Sequence, residues 1–121
     1  MNDEPKNLRD RVMDFSLTVI KIFRILDKRH DDVSTILGKQ LLKSATSIGA
    51  NIEEAQAAES RADFIHKYSI AQKEARETLY WLQLLQKADC IQEEEIRPLL
   101  QEVNELISII TVIIVNTKNK S

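Results

Sequence analysis

Apolar side chains recur in alternating steps of three and four residues along most of the chain, which is the period of an amphipathic helix. The first stripe contains Leu8, Val12, Phe15, Val19, Ile22 and Leu26. The second contains Leu37, Leu41, Ser44, Ile48, Ile52 and Ala55. The third contains Phe64, Tyr68, Ala71, Ala75, Thr78, Leu82 and Leu85, and the fourth Ile96, Leu99, Val103, Leu106, Ile110 and Ile113. The pattern therefore predicts four helices.

Polar residues mark the starts of the later three helices. Asp31 or Asp32 can accept hydrogen bonds from the first free N–H groups of the second helix. Ser60 and Asp63 have the spacing of a capping motif before the third, and Glu93–Glu95 place three carboxylates at the start of the fourth. Because the connections are short, the pattern predicts an all-α protein, an up-down-up-down antiparallel four-helix bundle forming a single domain over residues 1–121.

Composition supports this fold and narrows the protein class. The 121 residues include only two glycines and two prolines, too few for the turns of an all-β domain. A net charge of -2 provides no overall positive field that would attract nucleic acid, so any such site must be local. The polar start of the chain and its single cysteine predict a cytoplasmic protein without a membrane segment.

Two apolar segments exceed what one bundle stripe needs. The stretch Leu106–Val115 is interrupted only by Ser108 and Thr111, and Leu79–Leu85 places apolar residues all round the third helix. We interpret both as interfaces of a homo-oligomer, with these contact residues: Tyr80, Trp81, Leu84, Ile109 and Val112. Two alternatives remain: Trp81 caps the end of the bundle, or the surfaces bind a different protein and the molecule is a scaffold.

Catalytic and metal chemistry is poorly supported. Di-iron bundles need two E-x-x-H pairs, whereas this chain has only His30 and His66, although Glu53, Glu54, Glu74, Glu77 and Asp63 lie on the middle helices. Two glycines cannot form a phosphate-binding loop, and Cys90 has no histidine partner nearby in sequence. The sequence therefore predicts a protein that is not an enzyme and has no cofactor or metal site, with a metal-dependent enzyme as a minor alternative.

Basic residues provide a different candidate site. Lys39 and Lys43 are one turn apart, as are Lys73 and Arg76 on the next helix. In an antiparallel hairpin turning near Ser60, Lys43 and Arg76 come level, which predicts a basic strip for RNA across two helices. A third set, Lys21, Arg24 and Lys28, lines the first helix. For each set the alternative is a solvated face balanced by acids.

The stretch Gln40–Leu85 closely resembles the bacterial four-helix-bundle proteins encoded within 23S rRNA intervening sequences. The matching residues begin with SATSIGANIEE at residues 44–54 and continue through Asp63-Phe64-Ile65 to Tyr80-Trp81-Leu82. The resemblance implies a homopentamer and a distant likeness to the accessory variability proteins of diversity-generating retroelements, which bind nucleic acid. It implies RNA or the ribosome as a partner and supplies no catalytic residue.

Small side chains in this stretch also have a structural interpretation. Ser44, Ala45, Gly49 and Ala50 leave room for a neighbouring helix to approach closely. We expect Asn51 to fix the register of the middle helices through a buried contact with Glu74 or Glu77.

Overall fold

Four helices account for nearly all of the described chain in the computed structural model, which describes residues 7–120. They are α1 (Leu8–Asp27), α2 (Asp32–Ala55), α3 (Arg61–Lys87) and α4 (Glu93–Lys118), and residues 7–120 contain no strand. The all-α prediction is confirmed. The polar residues 1–6, on which the prediction of a cytoplasmic protein partly rests, and residue 121 lie outside the described part.

Side-chain caps begin the first three helices. The carboxylate of Asp31 accepts from the Ser34 N–H at 2.8 Å, and Ser60 Oγ accepts from the Asp63 N–H at 3.0 Å. Both predicted caps are confirmed. The same backbone hydrogen bond to Asp31, from Ser34, is the main reason that its pKa is lowered.

Each helix contacts its neighbours in chain order, and α4 returns to α1. Within residues 7–120, the backbones of helices at opposite corners do not approach each other closely. Side-chain hydrogen bonds and ion pairs join each helix to its two neighbours, as in a four-helix bundle. These pairs are Arg9–Glu53, Glu54–Lys67, Ser44–Thr78, Gln72–Thr111, Gln86–Glu93 and Arg11–Glu102.

The core contains most members of the four predicted stripes. Leu8, Leu37 and Phe64 are only partly buried. In α4 the last core position is Ile114, at 6% exposure, rather than Ile113. The difference arises because a strict alternation of three and four residues drifts from the 3.6-residue turn over a helix of this length. A step of four from Ile110 restores the core face.

A buried pair of hydroxyl groups joins α2 to α3. Oγ1 of Thr78 and Oγ of Ser44 lie 2.8 Å apart, and both residues are fully buried. The predicted contact of Asn51 with Glu74 or Glu77 is wrong, because the Asn51 amide donates to the Ser47 carbonyl of its own helix. The polar contact that links the middle helices is therefore Ser44–Thr78.

His30, which follows α1, has a φ of 56°, in the left-handed region that glycine adopts without a steric penalty. We expect His30→Gly to raise the free energy of unfolding by about 0.5–1 kcal/mol, because it removes the clash of the side chain with the following carbonyl. Urea denaturation measures the change. Asp89→Gly at the equivalent position after α3, also at φ 56°, is the matched variant and should gain less, since the short polar side chain of aspartate can hydrogen-bond locally in this region. A loss of stability in His30→Gly would contradict the argument.

Candidate nucleic-acid and subunit interfaces

The four basic residues predicted to bind RNA are all exposed. Lys39 and Lys43 lie on α2, and Lys73 and Arg76 lie on α3. Within residues 7–120 none of them forms an ion pair or a side-chain hydrogen bond. Their charges are therefore available to an anionic partner.

The structure brings these residues level along the bundle but on different sides. Lys43 precedes Ser44 and Arg76 lies two residues before Thr78, so the Ser44–Thr78 contact keeps them within one turn along the axis. However, Arg76 lies one turn after Gln72, whose amide donates to Thr111 of α4 at 2.8 Å. Arg76 therefore lies on the α4 side of α3, away from α2, and the predicted strip is spread around the surface.

The aromatic residues at the end of α3 are partly packed and partly open. Tyr80 is 56% exposed, and its ring meets that of Trp81 edge to face with centroids 5.1 Å apart. Trp81 packs against the core on one side, while its Nε1 donates to Glu77 at 3.4 Å. Leu84, one turn further, is half-buried. Trp81 thus covers part of the core and remains partly exposed.

A second apolar surface lies near the end of α4. Val112 is 55% exposed, and with Ile109, Ile113 and Ser108 it lines a shallow groove of about 260 Å³. In length and hydropathy α4 also resembles a membrane span, as do core helices of many soluble proteins, yet only 28% of its most apolar stretch is buried. Most side chains in this stretch of α4 are therefore exposed or only partly buried within residues 7–120.

The two apolar surfaces occupy opposite halves of the bundle. Gln86 of α3 pairs with Glu93 at the start of α4, whereas Gln72 pairs with Thr111 near its end. Tyr80–Leu84 and Val112 are therefore separated by about 12 Å or more along the axis. The five predicted interface residues form two patches rather than one.

Two adjacent glutamates connect α2 to both of its neighbours. Glu53 accepts two hydrogen bonds from Arg9 of α1 at 2.8 and 2.9 Å, and Glu54 accepts from Lys67 of α3 at 3.0 Å. The hydrogen bond from Arg9 lowers the pKa of Glu53. Both residues are exposed, and their positions are explained by these ion pairs.

Ion pairs also bridge α1 and α4. The Arg11 guanidinium contacts Glu102 at 2.7 and 3.0 Å and Glu105 at 2.8 Å, which lowers the pKa of Glu105 and raises that of Arg11. A cavity of about 540 Å³ opens beside them, with Phe15 and Leu99 in its lining. This seam is therefore closed partly by charges rather than by apolar packing.

The acidic residues considered for a metal site are dispersed. Glu53 and Glu54 are engaged with Arg9 and Lys67 on opposite sides of α2, and Glu77 accepts from Trp81. Residues 7–120 contain no group of three or more histidine, cysteine or acidic side chains placed to hold a metal ion. Cys90 is buried and is a free thiol.

Five exposed apolar residues of α1 and α2 were not predicted from the sequence. They are Met13, Leu17, Ile25, Val33 and Ile36, and their exposed fractions range from 40% to 59%. Met13 and Leu17 are one turn apart on α1, outside the core stripe, and this spacing was the signal that would have identified them. Met13 lines a cavity of about 320 Å³ together with Thr46 and Ala50 of α2.

Comparison with known proteins identifies the family. A crystal structure from Bacteroides thetaiotaomicron, described as a protein with unknown function from the S23 ribosomal protein family, superposes with a TM-score of 0.83 at 38% identity. The alignment covers 89% of this chain and 98% of that one. No curated protein matches. The family model described as 23S rRNA-intervening sequence protein matches residues 8–112, so the resemblance in the middle helices extends to most of the chain. The chain belongs to the 23S rRNA-intervening sequence protein family.

Proposed function

We propose that this protein is a non-enzymatic, cytoplasmic homopentamer that binds RNA or a ribosomal particle and needs no cofactor. The proposed RNA binding rests on the family match, because the description of the family names 23S rRNA. The exposed cations without ion pairs supply groups that can contact phosphates. The solved relative is described as a member of a ribosomal protein family, which also favours RNA or a ribosomal particle as the partner.

Self-assembly is supported by the two separate apolar patches. A ring forms when one patch of each subunit contacts a different patch on the next, and such a heterologous contact needs two surfaces per chain. The Tyr80–Leu84 surface and the groove at Ile109 and Val112 are the two candidates. The number of five subunits comes from the family resemblance.

A scaffold that binds another protein is the second candidate. The exposed Met13, Leu17 and Ile36 favour it, because they add apolar area outside the two patches. Measurements of the oligomeric state and of RNA binding by the wild-type protein distinguish the two functions.

We expect light scattering at micromolar concentration to give about five times the chain mass of 13.9 kDa. Filter binding should then show retention of single-stranded RNA that falls with salt, with a slope of log affinity against log salt of about -0.7 per phosphate contacted. Two or three contacts per subunit would make the slope steep. A monomer would contradict the assembly, and an intact oligomer that retains no RNA at low salt would favour the scaffold.

A further inference from the structure

Basic residues are concentrated in the part of the chain on either side of the turn between α1 and α2. Residues 15–52 contain six Lys and Arg against three Asp, whereas the remaining residues contain 11 basic against 16 acidic. All three aspartates fall at the turn, within residues 27–32. Between these aspartates and the ends of the segment, in residues 15–26 and 33–52, every charged side chain is basic.

Five of these cations share the outer side of the hairpin. We call this surface the hairpin basic face, and its members are Lys21, Arg24, Lys28, Lys39 and Lys43. All five are exposed. On α1 they are spaced by three and four residues, opposite the buried Val19, Ile22 and Leu26, so they lie in one row.

A contact between the helices places the two rows side by side. The backbone of Gly38 lies so close to α1 that an added Cβ would be 3.3 Å from Phe23 Cδ1 and from Leu26 Cδ1. Arg24 follows Phe23 and Lys39 follows Gly38, so these two cations are level across the helix pair. The two rows therefore lie on adjacent helices at the same level along the bundle.

Neighbouring acids do not neutralise this face. None of its five members forms an ion pair within residues 7–120, while Asp31, one of the three turn aspartates, is held by Arg29 at 3.2 Å. On α3 the situation differs: Lys73 and Arg76 are each followed directly by a glutamate, whereas on the hairpin basic face only Lys28 has an acidic neighbour in sequence, Asp27. The hairpin is thus the more positive of the two surfaces.

We propose that the hairpin basic face is the site that binds the phosphodiester backbone of a nucleic acid. The inference rests on the proposed RNA binding and moves the site from the α2–α3 strip to the outer surface of α1 and α2. Lys39 and Lys43 belong to both surfaces, whereas Lys21, Arg24 and Lys28 replace Lys73 and Arg76. Ammonium and guanidinium groups contact phosphate oxygens without reading sequence, so binding is expected to be sequence-tolerant.

The test compares two variants with the same change of charge. Arg24→Glu/Lys39→Glu alters the hairpin basic face, and Lys73→Glu/Arg76→Glu alters α3. The first probe is a labelled 20-nucleotide oligouridylate. The other two, of similar length, are an RNA hairpin and a DNA duplex. Light scattering and thermal unfolding establish that each variant keeps the assembly and fold of the wild type. If the reversed charges unfold the protein, Arg24→Gln/Lys39→Gln replaces the first variant, with Lys73→Gln/Arg76→Gln as its control.

We expect the hairpin variant to lose about tenfold or more in affinity for oligouridylate, with a salt slope smaller by about 1.4 for two lost contacts. The α3 variant should stay within about twofold of the wild type. Equal losses in both variants, or a loss only in the α3 variant, would overturn the location while leaving RNA binding in place. A wild-type oligomer that binds none of the probes at low salt would overturn the proposed function as well. An equal loss with duplex DNA would support the site and identify it as general for nucleic acid, and a loss confined to RNA would identify RNA as the source of the phosphates.

Discussion

Replacing Trp81 with alanine should weaken self-association by about 2 kcal/mol or more, which corresponds to roughly a 30-fold change in a dissociation constant. Trp81 packs on the core with one side and stacks edge to face with the exposed Tyr80 on the other. A buried tryptophan at the centre of an interface is a typical hot spot, because it excludes water from a large apolar area. Light scattering and sedimentation over a dilution series measure the shift from oligomer to smaller species.

The same substitution separates the interface from the cap interpretation. If Trp81 only caps the bundle, Trp81→Ala lowers the melting temperature and leaves the assembly unchanged. A second comparison uses Val112→Glu, because Val112 is 55% exposed in the α4 groove. Leu17→Glu is its matched control, since Leu17 on α1 is 50% exposed. The Val112 variant should dissociate the oligomer and the Leu17 variant should not. The reverse result would place the subunit contact on the outer surface of α1.

Replacing Gly49 with leucine should lower the free energy of unfolding by up to about 2 kcal/mol. A Cβ at this position would lie 3.1 Å from Cγ1 of Val12, which is 1% exposed and, as a β-branched residue in a helix, has little rotamer freedom. The overpacking cost of about 1–3 kcal/mol therefore exceeds the gain of about 1 kcal/mol from removing a helical glycine. Chemical denaturation provides the measurement.

Ala50→Leu is the matched control for this prediction. Ala50 is the next residue of α2 but is exposed, so its replacement should change the free energy of unfolding by no more than about 0.5 kcal/mol. The exposure of Ala50 also corrects the sequence-based interpretation, in which it belonged to the close contact. If Gly49→Leu were more stable than the wild type, the close approach of α1 to α2 would not constrain this position.

Local sequence predicted the elements of the fold well, because each depends on interactions within a few residues. The caps at Asp31 and Ser60 need only a side-chain oxygen and a backbone N–H three residues later. The core stripes follow from the 3.6-residue period, which the sequence contains directly. The departure at Ile114 appears only near the end of α4, where small deviations from the ideal period have accumulated.

The candidate sites were less predictable, since they depend on how each helix is rotated about its axis. Arg76 is level with Lys43, as the hairpin arithmetic predicts, yet it lies on the α4 side of α3. Glu53 and Glu54 are adjacent in sequence but pair with different helices. A rotation of one helix by a single residue, about 100°, would change each of these partners while leaving the sequence pattern intact.

By itself, the sequence determined that this chain forms four helices, where they begin, which face of each is buried and to which family the middle helices are similar. Only the tertiary structure decided that Ser44 meets Thr78, that the apolar surplus forms two separate patches, and that five cations share the outer side of the α1–α2 hairpin. The physical reason is that helix formation and amphipathicity are local, whereas register and rotation are set by the packing of all four helices at once.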